Sequence, residues 1–303
     1  MGAEHEAVRA RLGSVGVWTF AFDQLPAAQV SAAAAAIESL GYPALWVPEG
    51  GGSRDVFAHL SLLLSSTERI TVCSGIANVT ARHAETMREG AVTLADAFGE
   101  RVVLGVGIGH QSTSARRGQE WARPLDRMRA YLDLMDEPPG SAGPAVPVRR
   151  LLAALGDGML GLAAERALGA HTYFVPVEHT AHARAQLGPV PVLAVEQTAV
   201  LTSDASHARE IARGWVADYL ELPNYLNNWR RLGYEEDDLA GRASDRLIDA
   251  GIAWGSVGDV VARVRAQLDA GADHVCVQVI GEPGAGVQLL RELAPALLEI
   301  AKP

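Results

Sequence analysis

The chain has 303 residues, of which 49% are hydrophobic and 20% are charged, so it is long enough to bury a sizeable core. The formal net charge is −10 and the 26 lysine and arginine residues are scattered, which excludes nucleic acid as an expected partner. The residues before Gly13 mix both charge signs and include no apolar run of the length that a signal peptide or a membrane span needs, so we expect a cytoplasmic protein with no membrane contact.

Eight short apolar runs predict eight buried β-strands. Four of the runs follow a helical pattern that closes on a glycine (Gly41, Gly99, Gly169 or Gly271), a residue that readily adopts the left-handed conformation ending a helix. In chain order the runs are VGVWTF from Val15, LGYPALWVPEGGG from Leu40, RITVCSG from Arg69, FGERVVLGVGIGH from Phe98, RLLAAL from Arg150, LGAHTYFVPVEH from Leu168, VPVLAVEQTAVL from Val190 and AGADHVCVQVIGE from Ala270.

Amphipathic patterns between these runs predict helices. Strands that are apolar throughout need cover on both faces, and eight of them alternating with helices favour a closed parallel (β/α)8 barrel, with residues 1–303 as one domain. An open, doubly wound sheet is the alternative, because a count of strands does not prove closure. The predicted helices run from Ala27 to Leu40, Val56 to Ser65, Glu85 to Phe98, Leu125 to Met135, Met159 to Leu168 and Ser206 to Leu220.

Two segments depart from the repeat. The run from Pro138 to Pro147 is rich in proline, glycine and serine and predicts a surface loop. The run from Leu222 to Asp245 places short polar and aromatic helices between the seventh and eighth strands. Long insertions in a barrel serve as lids or as subunit contacts, and we favour a lid or a pocket wall here.

The two cysteines, Cys73 and Cys276, lie in apolar runs far apart in the sequence and match no metal-ligand spacing. A free cysteine in such a run behaves as a small buried hydrophobic residue. We therefore expect no bound metal and no disulfide.

The active site of such a barrel lies at the carboxyl ends of its strands. The residues that directly follow the apolar runs are the candidates for the site. They are Thr19, Phe20, Glu49, Gly50, Gly75, Ile76, Asn78, Gly107, His110, Gly156, Asp157, Tyr173, His179, Glu196 and Gln197.

Glu49 and His110 are the strongest candidates for catalysis. Glu49 follows a strand directly and precedes glycines, so its carboxylate is expected at the barrel mouth, with pairing to Arg54 or the capping of a helix as the structural alternative. His110 ends the run LGVGIGH and has an imidazole that ordinarily titrates near neutral pH, which makes it a candidate proton donor. A polar group satisfied within a loop is the alternative for His110.

Glycines provide two possible surfaces for a cofactor. Alternating glycines before His110, including Gly107, predict bare backbone that suits a flat ring, whereas the match to a dinucleotide fingerprint is weak. Gly156 and Gly158 stand at the start of a helix and suit a phosphate, although the intervening Asp157 opposes an anion and is an alternative helix cap. Since GxSxG, HExxH and CxxC are all absent, an organic cofactor is the economical source of chemistry.

Several blocks in order resemble the luciferase-like oxidoreductases that use flavin or coenzyme F420. The blocks are VGVWTF, LGYPALWVPEG, TERITVCSGIANVTARH, RVVLGVGIGH, LLAALGDGMLGLAAERALGAHTYFVPVEHT, LPNY and AGADHVCVQV, and together they span nearly the whole chain. They are most similar to an actinobacterial subgroup of F420-dependent oxidoreductases. The resemblance implies a homodimeric enzyme that transfers a hydride between F420 and a small organic substrate.

The resemblance also implies roles for particular residues. A cis peptide between Gly75 and Ile76 is expected to form a bulge behind the deazaflavin ring, with Glu49 near the ring and His110 facing the substrate. The cofactor-binding residues that the resemblance implies are Gly75, Ile76, Asn78, Gly107, Ile108, Gly156, Gly158 and Met159.

Two rival functions stay open. Reduced FMN with oxygen would make the same fold a luciferase-like monooxygenase. A non-catalytic ligand-binding or assembly barrel is the rival of another class. It is motivated by Gly50 and Asp157, which stand where relatives often carry histidine and proline respectively.

Overall fold

Ten parallel strands form one sheet in the computed structural model, which describes residues 2–50, 54–138, 146–281 and 284–300. Eight of the strands succeed one another around a barrel, and the short β4 and β9 lie off it. The strands are β1 (Val15–Trp18), β2 (Ala44–Val47), β3 (Thr71–Ser74), β4 (Ala77–Asn78), β5 (Val102–Gly107), β6 (Arg150–Ala153), β7 (Gly169–Thr172), β8 (Val192–Leu201), β9 (Ala253–Gly255) and β10 (His274–Val279).

The barrel closes through β10. This strand pairs in parallel with β1, where Val15 stands opposite Val275, and also with β8, where Val195 stands opposite the same residue. The prediction of a (β/α)8 barrel is thus confirmed, and the alternative of an open sheet is wrong. Closure removes the free edges that an open sheet would expose, and it brings the carboxyl ends of all eight strands to one mouth.

Helices cover the outer face of the barrel, and each predicted helix is present to within a few residues. Within the described residues, none of them combines the length and apolar character that crossing a bilayer requires. The helices are α1 (Gly2–Leu12), α2 (Ala27–Ser39), α3 (Val56–Ser65), α4 (Ala84–Phe98), α5 (Gln111–Arg116), α6 (Pro124–Asp136), α7 (Asp157–Arg166), α8 (Val177–Leu187), α9 (Ala205–Val216), α10 (Pro223–Arg231), α11 (Glu236–Leu239), α12 (Asp245–Gly251), α13 (Val257–Asp269) and α14 (Gly286–Ile300).

Helix α1 was not predicted, and it packs against the amino-terminal end of the barrel. Val8 and Leu12 are fully buried there, in one cluster with the interior side chains Trp46 and Cys73. The Nε atom of Arg9 donates to Asp273 Oδ1 over 2.8 Å and ties the helix to the turn before β10. Helix α1 therefore covers the amino-terminal end of the barrel.

Aromatic rings and imidazoles fill the barrel interior. The ring of Trp46 stacks on His171 at 4.5 Å, and its Nε1 donates to His274 Nε2 over 3.0 Å. Burial lowers the pKa of both histidines to about 4, so both are neutral at neutral pH. Both cysteines are free and buried, as expected.

The glycines that close the predicted repeat units all have positive φ, between 62° at Gly99 and 147° at Gly169. At Gly169 a side chain is excluded for a second reason, because a Cβ atom would collide with the backbone of Val192 in the neighbouring strand.

The insertion between the seventh and eighth barrel strands forms α10, α11 and α12 and ends in β9. Strand β8 extends beyond its pairing with β10, and its last residues pair with β9, so that Leu201 stands opposite Gly255. The insertion is thus attached directly to a barrel strand. In the other segment of irregular composition, residues 139–145 lie outside the described residues.

Candidate functional site at the carboxyl end of the barrel

The third barrel strand ends in a bulge at the mouth. The peptide bond between Gly75 and Ile76 is cis, as the family resemblance implies, and both residues are partly exposed. The bulge is held on two sides. Gly75 N donates to Val47 O over 2.8 Å, and Glu49 N donates to Ile76 O over 3.3 Å. Beyond the bulge, β4 pairs with the end of β5.

The glycines of β5 make room for this bulge. A Cβ atom on Gly107 would lie 2.5 Å from two side-chain atoms of Ile76. A Cβ on Gly105 would collide with Ser74 O, and one on Gly109 would collide with the amide of Asn78. The bare surface predicted for a flat ring is therefore covered by the chain itself. The glycines support the bulge, and the bulge faces the mouth.

Glu49 lies below the bulge, buried in an ion pair. Its Oε2 accepts from Asn78 N over 2.7 Å and from Arg82 Nη1 over 2.8 Å, and its Oε1 accepts from Arg82 Nη2. Arg82 Nη2 also donates to Asp55 Oδ2 over 3.0 Å. Burial opposes the charge on Arg82, but the two carboxylates outweigh it and raise the pKa of its guanidinium.

The structural alternative that paired Glu49 with Arg54 is wrong. Arg54 donates instead to backbone oxygens, including Phe22 O over 3.2 Å. Because both carboxylate oxygens of Glu49 are occupied, this residue anchors the bulge through the Asn78 amide.

His110 stands at the start of α5, half-buried beneath the insertion. The side chain of Asn224 lies beside its imidazole, and its ring centroid lies 6.1 Å from that of Tyr225, both on α10. Burial lowers the pKa of His110, and the nearby Asn224 offsets only part of this effect. The ring is therefore neutral at neutral pH, and α10 forms a wall of the mouth.

Aromatic side chains line a part of the mouth that extends to the bulge. We call Trp18, Phe20, Tyr173, Tyr219 and Tyr225 the aromatic wall. Successive ring centroids lie 4.5 Å apart for Trp18 and Phe20, 5.0 Å for Trp18 and Tyr173, 5.6 Å for Tyr173 and Tyr219, and 5.3 Å for Tyr219 and Tyr225. The wall joins β1 and β7 of the barrel to the insertion.

Trp18 brings the aromatic wall against the bulge. Its Nε1 lies where a Cβ atom on Gly75 would sit, so only glycine fits at that position. The same Nε1 is buried and has no hydrogen-bond partner among the described residues. Buried donors in native proteins are nearly always paired, so an unpartnered indole N–H is unusual at this position.

The amino terminus of α7 lies at the rim of the mouth. Gly156 is its N-cap residue, and the predicted alternative in which Asp157 caps the helix is wrong. Asp157 Oδ1 is bonded instead to His182 Nε2 at 2.7 Å. Arg231 of the insertion lies beside Gly156, and its Nη2 donates to Leu155 O over 3.2 Å. A cation thus stands next to the helix terminus.

A second buried carboxyl group, Glu196, lies on β8 with 1% of its surface exposed. Its Oε1 accepts from Thr198 Oγ1 over 2.6 Å and its Oε2 accepts from Phe174 N over 3.1 Å. Burial raises the pKa of Glu196 to about 7, against the effect of these two donors. Its position after an apolar run placed it among the sequence candidates, but no motif distinguished it.

The structure separates the residues expected to bind the cofactor. Gly75, Ile76 and Gly156 are partly exposed at the mouth. Ile108 and Met159 pack partly against the main core, and Gly158 faces Leu125. The side chain of Asn78 is buried, and its Oδ1 accepts from Thr80 N over 2.9 Å.

Sequence reasoning missed four residues at the mouth. Trp18 belongs to a strand that was treated as uniformly apolar, and Arg82 and Arg231 are isolated arginines without a motif. Gln278 lies on β10, where its Oε1 accepts from the hydroxyl of Tyr173 over 2.8 Å. The alternation of side chains along a barrel strand was the signal that could have found Trp18 and Gln278.

The part of the chain that carries the bulge matches a known family. Residues 14–138 match the family described as luciferase-like monooxygenase. A Mycobacterium tuberculosis protein provisionally named as a coenzyme F420-dependent oxidoreductase is 27% identical over 209 residues, which cover 66% of this chain and 54% of that protein. The match thus spans about half the length of that relative.

Solved structures of enzymes share the fold. An F420-dependent secondary alcohol dehydrogenase, in complex with an F420-acetone adduct, has a TM-score of 0.75 at 14% identity and covers 94% of this chain and 99% of its own. The oxygenating constituent of a 3,6-diketocamphane monooxygenase from Pseudomonas putida, in complex with FMN, has a TM-score of 0.66 at 16% identity and covers 94% and 98%. The chain is a (β/α)8 barrel protein, and the part of it that is similar to the luciferase-like monooxygenase family includes Glu49, the Gly75–Ile76 bulge and His110.

Proposed function

We propose that this chain binds coenzyme F420 at the mouth of the barrel and transfers a hydride between it and a small, uncharged organic substrate. The observation that carries the proposal is the partly exposed Gly75–Ile76 bulge at the mouth, with Trp18 packed against it. A planar ring fits against such a shelf of exposed backbone. The residues present therefore fit the deazaflavin ring.

The amino terminus of α7 fits the anionic tail of the coenzyme. Free N–H groups at the start of a ten-residue helix attract a phosphate, and Arg231 adds a full positive charge beside Gly156. Asp157 opposes this attraction. Its bond to His182 lowers the pKa of Asp157 and keeps the carboxylate ionised. The attraction of an anion to this helix terminus therefore depends on the positive charge of Arg231.

When bound, the deazaflavin supplies a ring that accepts or gives two electrons as a hydride. His110 accepts or donates the proton that moves along with the hydride. Because burial keeps its imidazole neutral, His110 is prepared to take a proton from a substrate hydroxyl group, while Asn224 orients its ring. Glu49 contributes indirectly, since its carboxylate fixes the Asn78 end of the bulge.

The aromatic wall indicates the class of substrate. It presents rings and phenolic hydroxyl groups, and the hydroxyl of Tyr173 is already bonded to Gln278 at 2.8 Å. No charged side chain belongs to the wall, so a charged substrate would lose its hydration without gaining a partner. A small alcohol or carbonyl compound with an apolar body suits this surface.

Fluorescence titration with F420 and, separately, with FMN tests the proposal. We expect F420 to bind more tightly than FMN, and Arg231→Gln to weaken F420 binding about tenfold, the worth of one charge-assisted contact. Arg230→Gln is the matched control, because the neighbouring Arg230 is exposed and pairs with Glu236.

Other outcomes of the titration point to the rival functions. Selective binding of FMN together with oxygen consumption during turnover would replace the proposal by a monooxygenase. Binding of neither cofactor at tens of micromolar would favour the non-catalytic barrel.

The homodimer stays a proposal that rests on the family resemblance, and the cytoplasmic location stays a proposal as well. Sedimentation of the purified 32.0 kDa chain tests the first, and a species of twice that mass is expected. Cell fractionation tests the second.

A further inference from the structure

Glu196 is a buried acid that the proposed mechanism does not use. Among the described residues no arginine, lysine or histidine pairs with it, and its carboxyl group is held by only two donors, Thr198 Oγ1 at 2.6 Å and Phe174 N at 3.1 Å. A buried carboxyl group without a cation is costly for a fold to keep. A carboxyl group at this buried position is therefore expected to make a contact that an apolar side chain could not make.

The contact of Glu196 with the backbone of Phe174 is of this kind. This residue has a φ of 52° although it is not glycine, and its side chain is 1% exposed. A bulky residue in the left-handed region is strained and persists only where its surroundings enforce it. The N–H of Phe174 is bonded to Glu196 Oε2, so the carboxyl group holds the chain in this turn.

The turn at Phe174 sets the position of Tyr173. The hydroxyl of Tyr173 reaches Gln278 at 2.8 Å and Tyr219 at 3.0 Å, and its ring lies 5.0 Å from that of Trp18. Trp18 in turn lies against Gly75. A continuous chain of contacts therefore joins the Glu196 carboxyl group to the bulge.

We propose that Glu196 is a positioning residue: its carboxyl group fixes the turn at Phe174 and thereby places Tyr173 and Trp18 beside the Gly75–Ile76 bulge. The proposal deepens the proposed function and rests on it where coenzyme binding is concerned. The hydrogen bond to Phe174 N is independent of any coenzyme, and it gives the proposal a test of its own.

The hold on Phe174 depends on the charge of Glu196. The titratable groups around it are Tyr173, Tyr219, Tyr225 and Cys276, and burial raises the pKa of each, so all four stay neutral below pH 9. Burial also raises the pKa of Glu196, to about 7. An ionised carboxylate accepts the Phe174 N–H more strongly than a neutral acid does, so the turn tightens as the pH rises through neutrality.

Amide hydrogen exchange at Phe174 and F420 titration, each at pH 6 and pH 8, test the proposal in the full chain. In the wild type we expect the Phe174 amide to be more strongly protected at pH 8 than at pH 6, after correction for the intrinsic exchange rates. We also expect F420 to bind more tightly at pH 8. In E196Q the side-chain oxygen still accepts from Phe174 and the amide donates to Thr198, so protection stays while its dependence on pH near 7 disappears. In E196L protection falls at least tenfold and the dissociation constant of F420 rises by a similar factor.

The variant T198V provides a second test that can be used if E196L does not fold. Loss of the Thr198 donor disfavours the ionised form, so the pH at which Phe174 protection changes moves upward by about half a unit or more. Unchanged protection in E196L, or an unshifted midpoint in T198V, would overturn the proposal. If the wild type binds no F420 while the exchange results stand, the proposed function fails and the role of Glu196 in the turn does not.

Discussion

The guanidinium of Arg82 contacts both carboxylate oxygens of Glu49, and the two side chains are only 9% and 4% exposed. Removing one partner of a buried ion pair leaves the other charge without compensation, which costs about 3–5 kcal/mol. We therefore expect Arg82→Ala to lower the free energy of unfolding by about 3 kcal/mol, measured by urea denaturation. Glu49→Gln should cost less, because the guanidinium of Arg82 keeps Asp55 as a charged partner.

Arg123→Ala is the control for this experiment. The side chain of Arg123 is 90% exposed, and its pairing with Asp126 is long, at 3.8 Å. Exposed pairs of this kind contribute about 0–1 kcal/mol. Equal effects of the Arg82 and Arg123 substitutions would mean that Glu49 does not depend on its partner.

His110→Gln should lower kcat by a factor of about 10² to 10⁴, the usual contribution of a general acid or base, with F420 affinity changed less than threefold. Burial lowers the pKa of His110, so the neutral, proton-accepting form predominates at pH 7. In the oxidative direction, the wild-type rate should fall only when the pH drops below the ordinary imidazole value of about 6.5. That acidic limb should be missing in the variant.

The exposed His207 on α9 provides the control through His207→Gln, which should leave the rate and its pH profile unchanged. An acidic limb that survives in His110→Gln would assign the proton to another group.

Gly107→Ala tests whether the β5 glycines support the bulge. The new Cβ atom would lie 2.5 Å from Ile76 atoms, so the bulge must shift, and we expect a loss of about 1–3 kcal/mol and at least tenfold weaker F420 binding. Adding Ile76→Ala should recover part of the stability. Gly161→Ala, in α7 with no atom within 4 Å of the new Cβ, should be neutral or stabilising.

The dependence of stability on acid is tested by His59→Leu. His59 is 2% exposed, neither ring nitrogen has a partner among the described residues, and burial lowers its pKa to about 4. Removing the unsatisfied groups should stabilise the protein by about 1–3 kcal/mol at pH 7.

The effect of His59→Leu should grow as the pH falls. A depressed folded-state pKa means that stability present above pH 6.5 is lost as the pH falls toward 4, by up to about 3 kcal/mol for this one group. Thermal unfolding between pH 7 and pH 4.5 measures the difference. A constant difference between wild type and variant would show that His59 does not titrate in this range.

The strands could be predicted because burial on both faces leaves a continuous apolar run, as in Thr71–Ser74. Closure of the barrel depends on pairing between β8 and β10, which are separated by about 80 residues, and no local pattern carries that contact. Helix α1 escaped prediction because it buries only a narrow stripe, with Val8 and Leu12 four residues apart. The helices of the insertion were predicted from the polar and aromatic composition of the residues between the seventh and eighth strands.

The site was only partly predictable. Positions after strands identified Glu49 and His110, since the architecture alone puts such residues at the mouth. Glu196 was also expected after a strand, but it lies within β8. Their states were not predictable, because the partner of Glu49 is an arginine 33 residues away, and the burial of Glu196 depends on side chains from other strands. The family resemblance, and not residue chemistry, located the bulge.

The attachment of the insertion to β8 has a consequence for how new specificities arise. The chain leaves the barrel after Leu201 and returns at Ala253, and both ends of this segment are fixed on the same strand, where Ala199 stands opposite Ala253. Lengthening, shortening or replacing the intervening residues leaves the hydrogen bonds of the eight-stranded cylinder intact. The segment is therefore an exchangeable cassette, and transplanting it between related barrels is a route to altering substrate preference without redesigning the scaffold.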